Sequence, residues 1–170
     1  LDIPNNACVL DVGCGGGANI KKLLELCPYG TVKGVDYSEI SVDKSRRVNA
    51  KEIQLGRCQV HQADVMELPF EDNSFHVVTA FETVYFWPDL PKSFQEIFRV
   101  LKNGGTFVIC NESNGETNMD EKWAKIIRGM TIYTGDQLRK AILQTGFSSV
   151  RIHNHNRGWL CVVANKSVET

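Results

Sequence analysis

The chain has 170 residues, 42% of them hydrophobic, which is enough for one domain with a well-buried core. Its 19 basic and 20 acidic side chains nearly cancel, and like charges do not form a run. The electrostatic pattern of a duplex-binding protein is therefore missing, and we expect no nucleic-acid partner.

Membrane and export patterns are missing as well. No apolar stretch approaches the roughly 20 residues that cross a bilayer, and residues 1–6 lack the basic and apolar regions of a secretory signal. Six cysteines are scattered without a C-x-x-C pair, so they indicate neither a disulfide framework nor a zinc site. We expect reduced, mostly buried thiols, no metal and a cytoplasmic location.

Apolar runs alternate with helical patterns from residue 7 onward, which is typical of an α/β fold. Five runs are predicted as strands: 7–12, 31–37, 57–64, 75–81 and 105–111. The last two are apolar almost throughout, as expected for strands of a parallel sheet that helices cover on both faces.

Helices are predicted between these strands. Two segments carry apolar residues at i, i+3, i+4 and i+7: Ile20, Leu23, Leu24 and Cys27 in the first, and Phe94, Ile97, Phe98 and Leu101 in the second. Residues 39–55 have a weaker apolar stripe, and we predict a helix there partly because two parallel strands need a crossover between them.

The pattern changes after the fifth strand. Helical spacing recurs at four apolar positions: Trp123, Ile126, Ile127 and Met130. A capping box at residues 134–137 and a C-terminal glycine, Gly146, predict a second short helix. Residues 148–155 and 159–165 are then predicted as an antiparallel hairpin around a turn at 156–158.

The segment VLDVGCGGGANIKKL (9–23) holds four glycines within five positions. Gly13, Gly15 and Ala18 satisfy G-x-G-x-x-[G/A], and Asp36 follows the second strand about 20 residues on. A backbone without side chains can approach a ligand there, while the acid accepts hydrogen bonds from ribose hydroxyls. The pattern predicts a nucleoside ligand. The simpler alternatives are a tight strand-to-helix turn and a helix N-cap at Asp36.

Two further acids bear on the identity of the ligand. Asp11 lies inside the first strand, where it would repel a pyrophosphate but would suit a ligand with a positive amino group. Asp64 closes the third strand, where a carboxylate accepts from the exocyclic amino group of an adenine. Asp11 therefore favours an adenosyl ligand with an amino group over a dinucleotide, and Asp64 puts a second acid in the nucleoside pocket.

With these motifs in this order, the sequence resembles the class I methyltransferases that use S-adenosylmethionine, especially the small-molecule branch with the ubiquinone and menaquinone biosynthetic enzymes. The resemblance covers nearly the whole chain. It implies a Rossmann-like α/β fold with a seven-stranded sheet of order 3-2-1-4-5-7-6, strand 7 antiparallel and helices on both faces. One departure is Asn103, where the family often has proline; asparagine also suits a turn.

The resemblance implies S-adenosylmethionine as cofactor and S-adenosylhomocysteine as product. In the family, the segment matching residues 11–17 holds the methionine part, the acid matching Asp36 binds both ribose hydroxyls, and the acid matching Asp64 meets the adenine with its neighbours. The cofactor-binding residues so implied are Asp11, Gly13, Cys14, Gly15, Gly17, Asp36, Tyr37, Ala63, Asp64, Val65 and Phe81.

The resemblance implies that residues 1–170 form one methyltransferase domain. In the family, a region before the first strand supplies a helix and loop that cover the cofactor and the substrate. Leu1 directly precedes the first strand pattern, without an initiator methionine. We therefore expect this chain to be part of a longer protein that carries the cover.

The acceptor is predicted to lie beyond the fourth strand, at residues 81–90. Four residues there are candidates for substrate contacts: Glu82, Tyr85, Phe86 and Trp87. Glu82 and Tyr85 are also candidates for catalysis; Glu82 would act as a base, or it would instead bind the amino group of the methionine part. Glu82 is equally well explained as a solvated or capping residue, and the aromatic residues as core. Residues 112–133 are a candidate lid, or ordinary packing.

Three functional classes remain open. The first is a methyltransferase that acts on a small molecule by in-line displacement, with a base only where the acceptor must lose a proton. The second is an NAD-dependent oxidoreductase or epimerase, which usually carries a Tyr-x-x-x-Lys or similar set that is missing here. The third is a non-catalytic module that binds the adenosyl cofactor. FETV stands where enzymes that methylate DNA-base amino groups carry an N-P-P-Y type motif, which again disfavours nucleic acid.

Overall fold

The computed structural model describes residues 3–168, without the side chains of Asn118, Met119 and Glu121. Helices and strands follow in this order: β1 (Cys8–Val12), α1 (Ala18–Leu26), β2 (Thr31–Asp36), α2 (Glu39–Val48), α3 (Ala50–Gln54), β3 (Cys58–Gln62), β4 (Phe75–Phe81), α4 (Leu90–Val100), β5 (Leu101–Asn111), α5 (Asn118–Ile126), α6 (Gly135–Gln144), β6 (Ser149–Asn154) and β7 (Leu160–Asn165). None of the helices in the described part is long and apolar enough to cross a membrane.

The strands of the described residues form one seven-stranded sheet in the order β3-β2-β1-β4-β5-β7-β6. Neighbouring strands from β3 through β5 pair in parallel, whereas β7 pairs antiparallel with both β5 and β6. The predicted strand order and the antiparallel seventh strand are confirmed. Because β1 is followed by β2 on one side and has β4 on the other, the strand order reverses there and a crevice opens at the carboxyl ends.

Helices cover both faces of the sheet, as predicted. Successive residues of a strand point to opposite faces, so Val9 and Leu10 of β1 belong to two different clusters. Leu10 packs in the cluster that contains Phe94 of α4 and Leu138 of α6. Val9 packs in the other cluster, with Ile20 of α1. The two clusters hold the glycine turn and the loop after β4 at the same edge of the sheet.

The helix predicted over residues 39–55 is interrupted at Asn49. Asn49 leaves the helical conformation at φ −105° and ψ 19°, and it ends α2 and begins α3. Its buried amide donates to the carbonyl of Gly17 at 3.1 Å and to that of Ser45 at 3.0 Å. The interruption therefore attaches the end of α2 to the glycine turn, a contact between residues far apart in sequence.

Other boundaries also differ from the prediction. The third strand ends at Gln62, so Asp64 follows this strand rather than closing it. The fifth strand begins at Leu101 rather than at residue 105, because its pairing with β4 shifts by a bulge between Phe75 and Val77. The first helix after β5 ends at Ile126, so Met130 lies outside it. Its apolar stripe does not enter the core, since Trp123 is 44% exposed and Ile126 is 72% exposed.

Arg99 of α4 holds the loop between β3 and β4 against the helix. Its guanidinium donates to the carbonyls of Leu68 at 3.0 Å and Phe70 at 2.7 Å. It also forms two hydrogen bonds of 2.8 Å with Glu96, whose carboxylate accepts from the Leu68 backbone at 2.8 Å. A planar fork of donors is needed to reach all these acceptors at once.

We expect Arg99→Lys to lower the free energy of unfolding by about 2 kcal/mol, because an ammonium cannot replace the fork and buried acceptors lose their donors. Arg139→Lys is the matched control, since Arg139 is a half-exposed residue 3.7 Å from Asp136. Urea denaturation of both variants measures the difference. Equal stability of the two variants would contradict the role given to Arg99.

Candidate active site

Four glycines stand in the turn between β1 and α1, and two of them, Gly15 and Gly17, have different surroundings. Both adopt left-handed backbone, at φ 52° for Gly15 and 82° for Gly17. A β-carbon at Gly17 would lie 2.4 Å from Ser45 Oγ and 2.5 Å from Asn49 Nδ2. Apart from Gly15 itself and its two chain neighbours, no atom of the described residues lies within 4 Å of a β-carbon at Gly15. Packing therefore requires the glycine at 17, whereas Gly15 leaves open space beside the backbone.

Asp36 connects this turn to the end of β2. Its carboxylate accepts from the backbone N–H of Gly15 and from that of Ser38, each at 2.9 Å. The N-cap of α2 is Ser38, whose side chain accepts from Ser41 N, so Asp36 does not cap the helix. Each carboxylate oxygen has two acceptor sites, and Asp36 can therefore still accept hydrogen bonds from a ligand.

A cavity of about 590 Å³ lies at the carboxyl ends of β1, β2 and β4. This volume is within the range of roughly 300–1,000 Å³ that small-molecule and cofactor sites occupy. Its lining residues are Val12, Gly13, Gly15, Val35, Asp36, Tyr37, Ser38, Ser41, Ala63, Asp64, Val65, Glu82, Thr83, Phe86, Trp87 and Pro88.

Most of the residues proposed from the sequence meet at this cavity. The cofactor candidates that line it are Gly13, Gly15, Asp36, Tyr37, Ala63, Asp64 and Val65, and the substrate candidates that line it are Glu82, Phe86 and Trp87. The candidates that do not line it are Asp11, Cys14, Gly17, Phe81 and Tyr85. Sequence reasoning missed six lining residues: Val12, Val35, Ser38, Ser41, Thr83 and Pro88. The helix start at Ser38 was the one available signal, because serine is a favoured N-cap.

Asp11 lies in β1, directly before the turn, and is 1% exposed. Thr79 Oγ1 donates to Asp11 Oδ1 at 2.7 Å, and Asp11 Oδ2 has no hydrogen-bond partner among the described residues. Burial raises the pKa of this carboxyl to about 7; the bond from Thr79 opposes the rise, and the charge of Asp36 adds to it. A positive group nearby would therefore favour the ionised form.

Cys14 and Phe81 have their contacts outside the cavity lining. The Cys14 sulfur is buried 3.9 Å from Ser45 Oγ, between the turn and α2. Burial and the charge of Asp11 raise the pKa of this thiol to about 12, so it is not a nucleophile near neutral pH. Phe81 is partly buried and packs against the cluster on the α1 side of the sheet.

Asp64 lines the cavity and follows β3. The backbone N–H of Ala63 donates to the carbonyl of Asp36 at 3.1 Å, so the ends of β2 and β3 are joined. The carboxylate of Asp64 is exposed and accepts from Met66 N at 2.9 Å. The buried side chain of Val65 supplies an apolar surface next to it.

The loop after β4 is tied to the segment after β5. Glu82 adopts φ 55°, which is uncommon for a residue with a side chain, and its carboxylate accepts from the backbone of Glu112. The Tyr85 hydroxyl accepts from Ser113 N at 3.1 Å. Burial raises the pKa of both Glu82 and Tyr85. Tyr85 is therefore neutral near pH 7 and holds the loop, whereas Glu82 is at the cavity surface.

The aromatic residues of this loop divide between core and cavity. Tyr85 is 3% exposed, whereas Phe86 is 46% exposed and lines the cavity. Trp87 belongs to both the core and the cavity. It lines the cavity, and its ring packs edge-to-face on Phe94 with the ring centroids 6.0 Å apart. The candidate lid, residues 112–133, contacts this loop through Thr131, whose backbone N–H donates to the carbonyl of Tyr85 at 2.8 Å.

Within residues 3–168, no three His, Cys, Asp or Glu side chains are grouped as metal ligands would be. The arrangement consists instead of a glycine turn, an acid after β2 and a crevice where β1 and β4 diverge. This combination defines the α/β proteins that bind a nucleoside cofactor at the carboxyl edge of the sheet.

Comparison with known proteins narrows this class. Residues 10–109 match the family described as "Methyltransferase domain". The match spans more than half of the chain, so the protein belongs to this methyltransferase domain family. The class predicted from the motifs, S-adenosylmethionine-dependent methyltransferases, is confirmed.

Individual relatives are similar over part of their length. Cycloartenol-C-24-methyltransferase 1 of Oryza sativa subsp. japonica is 35% identical over 101 residues, 59% of this chain and 29% of that protein. Demethylmenaquinone methyltransferase of Symbiobacterium thermophilum is 36% identical over 107 residues, 62% of this chain and 42% of that protein. The chain spans less than a third of the length of the sterol methyltransferases it matches.

Solved structures show the same fold. A SAM dependent methyltransferase from Aquifex aeolicus superposes with a TM-score of 0.80 at 20% identity, covering 97% of this chain and 84% of that one. At this identity the likeness concerns the fold, and it agrees with the strand order of the sheet.

Proposed function

We propose that this protein transfers a methyl group from S-adenosylmethionine to a small-molecule acceptor. The observation that carries the proposal is the buried Asp11 carboxyl beneath the glycine turn, whose Oδ2 lacks a partner among the described residues. A pyrophosphate would be repelled there, whereas a ligand with a positive amino group would be attracted. This disfavours the dinucleotide alternative.

The residues at the cavity fit the adenosyl cofactor. Asp36 would accept from the ribose hydroxyls, and Asp64 with the neighbouring Val65 would meet the adenine. The open backbone at Gly15, with Asp11 behind it, would hold the methionine part. When bound, S-adenosylmethionine supplies a methyl group on a positively charged sulfur, which a nucleophile can attack in line. The residues of this chain provide the alignment.

The acceptor would lie against the loop after β4. Phe86 and Trp87 supply apolar surface, and the Glu82 carboxylate is the titratable group next to them. We propose that Glu82 contacts the acceptor and takes its proton where one must leave, because burial raises the pKa of this carboxyl above its ordinary value and so makes it a stronger base. Tyr85 would be a positioning residue: its hydroxyl would hold the loop after β4, and with it Glu82, in place. The sterol and demethylmenaquinone methyltransferases among the relatives support an acceptor with an apolar ring system.

We also propose a cytoplasmic location, with neither nucleic acid nor a metal required. All six cysteines lie within the described residues and are free, which suits a reducing compartment. Displacement at a sulfonium methyl group needs alignment rather than a Lewis acid, so the proposal includes no metal.

Isothermal titration of the chain with S-adenosylmethionine, S-adenosylhomocysteine and NAD tests the cofactor. We expect both adenosyl compounds to bind and Asp36→Ala to weaken them at least tenfold, because the ribose loses its acceptor. Asp43→Ala is the matched control, as Asp43 is an exposed acid of α2 that pairs with Arg46 at 3.7 Å. Binding of NAD without the adenosyl compounds would refute the proposal.

Transfer of a labelled methyl group separates an enzyme from a binding module. We expect label to reach a sterol or a quinol in the presence of the chain, and Glu82→Gln to slow the transfer without changing affinity for S-adenosylhomocysteine. Cofactor binding without transfer to any acceptor of this kind would favour the non-catalytic module.

A further inference from the structure

Two cysteines that do not line the cavity lie side by side on the sheet. Cys110 of β5 and Cys161 of β7 are direct partners in the antiparallel register, and their sulfurs are 3.4 Å apart. Residues directly opposite in an antiparallel pair are on the same face, with α-carbons about 4.5–5.5 Å apart. Disulfides need an α-carbon separation of about 4.4–6.8 Å, so this pair can close without backbone movement.

The two thiols are chemically unequal. The Cys110 thiol donates a hydrogen bond to the Cys161 sulfur, and this bond lowers the pKa of Cys161 below the ordinary value of a thiol. The same bond, together with burial and the charge of Glu82, raises the pKa of Cys110. Because the thiolate is the nucleophile, Cys161 is the reactive partner and Cys110 remains protonated beside it.

The residues of this pair are not fully buried. Cys110 and Cys161 are partly exposed, in contrast to Cys14 and Cys58, which are 6% and 2% exposed. Burial also raises the pKa of Cys58 to about 11, so that thiol is unreactive near neutral pH. Next to the pair, the register places Phe81 of β4 beside Cys110 and His153 of β6 beside Cys161.

We propose that Cys110 and Cys161 form a reactive dithiol that hydrogen peroxide converts to a disulfide. The Cys161 thiolate attacks one peroxide oxygen, the O–O bond breaks, and Cys161 sulfenic acid and hydroxide form. The Cys110 sulfur then attacks the Cys161 sulfur; the S–S bond forms, the S–O bond breaks, and the oxygen leaves as water with the Cys110 proton. The hydroxide takes the proton that Cys161 had released, so two thiols lose two electrons and the peroxide becomes water.

Mass spectrometry of the reduced chain after treatment with equimolar hydrogen peroxide tests this without any substitution. We expect the intact mass to fall by about 2 Da, as two hydrogens are lost, and a peptide linking Cys110 to Cys161 to appear. Of the six thiols, four should remain after denaturation, since two are consumed. Retention of all six thiols, or linkage of other cysteines, would overturn the proposal.

Single substitutions test the order of the two steps. Cys110→Ser should stop at sulfenic acid on Cys161, which dimedone traps, whereas Cys161→Ser should leave Cys110 largely unlabelled. Cys58→Ser is the control and should form the linked peptide as the unsubstituted chain does. Equal dimedone labelling of Cys110 and Cys161 in the two variants would overturn the assignment of Cys161 as nucleophile. These readouts are masses and thiol counts, so they do not depend on the proposed cofactor.

Discussion

Gly17→Ala is expected to destabilise the fold severely. The backbone at Gly17 is left-handed at φ 82°, and an added β-carbon would lie 2.4 Å from Ser45 Oγ and 2.9 Å from Ser45 Cα. Ser45 is fully buried in α2, so it cannot move aside without displacing the helix. Backbone strain and overpacking together should cost about 3 kcal/mol or more, measured as a lower urea midpoint.

Gly15→Ala is the matched variant. We expect it to lose little stability but much affinity for the cofactor. It also places alanine in left-handed backbone, at φ 52°, but the new methyl group meets open space. The loss of stability should be limited to about 1–2 kcal/mol of backbone strain. Because Gly15 lines the cavity, the methyl group would take space from the ligand, so we expect affinity for S-adenosylhomocysteine to fall at least tenfold.

The two glycine variants together separate folding from binding. Gly17→Ala should show the larger loss of stability, and Gly15→Ala should remain folded yet bind poorly in the same titration. If both variants lost the same free energy of unfolding, the contact with Ser45 would not be the reason why position 17 requires glycine. If Gly15→Ala bound S-adenosylhomocysteine like the unsubstituted chain, the open space at this glycine would not be part of the cofactor site.

The stability of the chain should depend on pH through Asp11. Its carboxyl has a pKa of about 7 when folded, because it is buried, against an ordinary value of 3.8. Between these values the folded state holds a proton that the unfolded state has lost, so the free energy of unfolding falls as pH rises from about 4 to about 7. Each pKa unit corresponds to about 1.4 kcal/mol, which makes the total a few kcal/mol.

Asp11→Asn isolates this contribution, since other groups titrate in the same range. We expect the variant to gain stability over the unsubstituted chain as pH rises from 5 to 8, measured by urea denaturation at each pH. Thr79→Val should retain the dependence and extend it to higher pH, because the hydrogen bond that favours the ionised carboxylate is removed. A stability difference between Asp11→Asn and the unsubstituted chain that does not change with pH would contradict the raised pKa.

The architecture follows largely from local patterns. Apolar runs of strand length and helical spacing of Ile20, Leu23 and Leu24 reflect the periods at which strands and helices bury a face, and the structure has these elements where they were predicted. Boundaries were less predictable. The break at Asn49 depends on a carbonyl of Gly17, 32 residues earlier, and no local pattern reveals such a partner.

The candidate site, like the fold, was predictable from the sequence only in part. Glycine spacing and the positions of Asp36 and Asp64 at strand ends indicated residues that the structure brings to one cavity, because the ends of parallel strands meet at one edge. Which aromatic residue faces the cavity was not predictable. Tyr85 and Phe86 are adjacent in sequence, and only the short helical turn at Val84–Phe86 directs one inward and the other outward.

The sequence by itself determined the fold class, the strand order through its family resemblance, and the acids at the carboxyl edge, since these depend on residue types at fixed spacing. The tertiary structure decided properties that arise from contacts between distant segments. The raised pKa of Asp11 requires burial by neighbouring strands, and the pairing of Cys110 with Cys161 requires the register of β5 against β7. Burial and register are set by packing across the sheet, and spacing along the chain does not encode them directly.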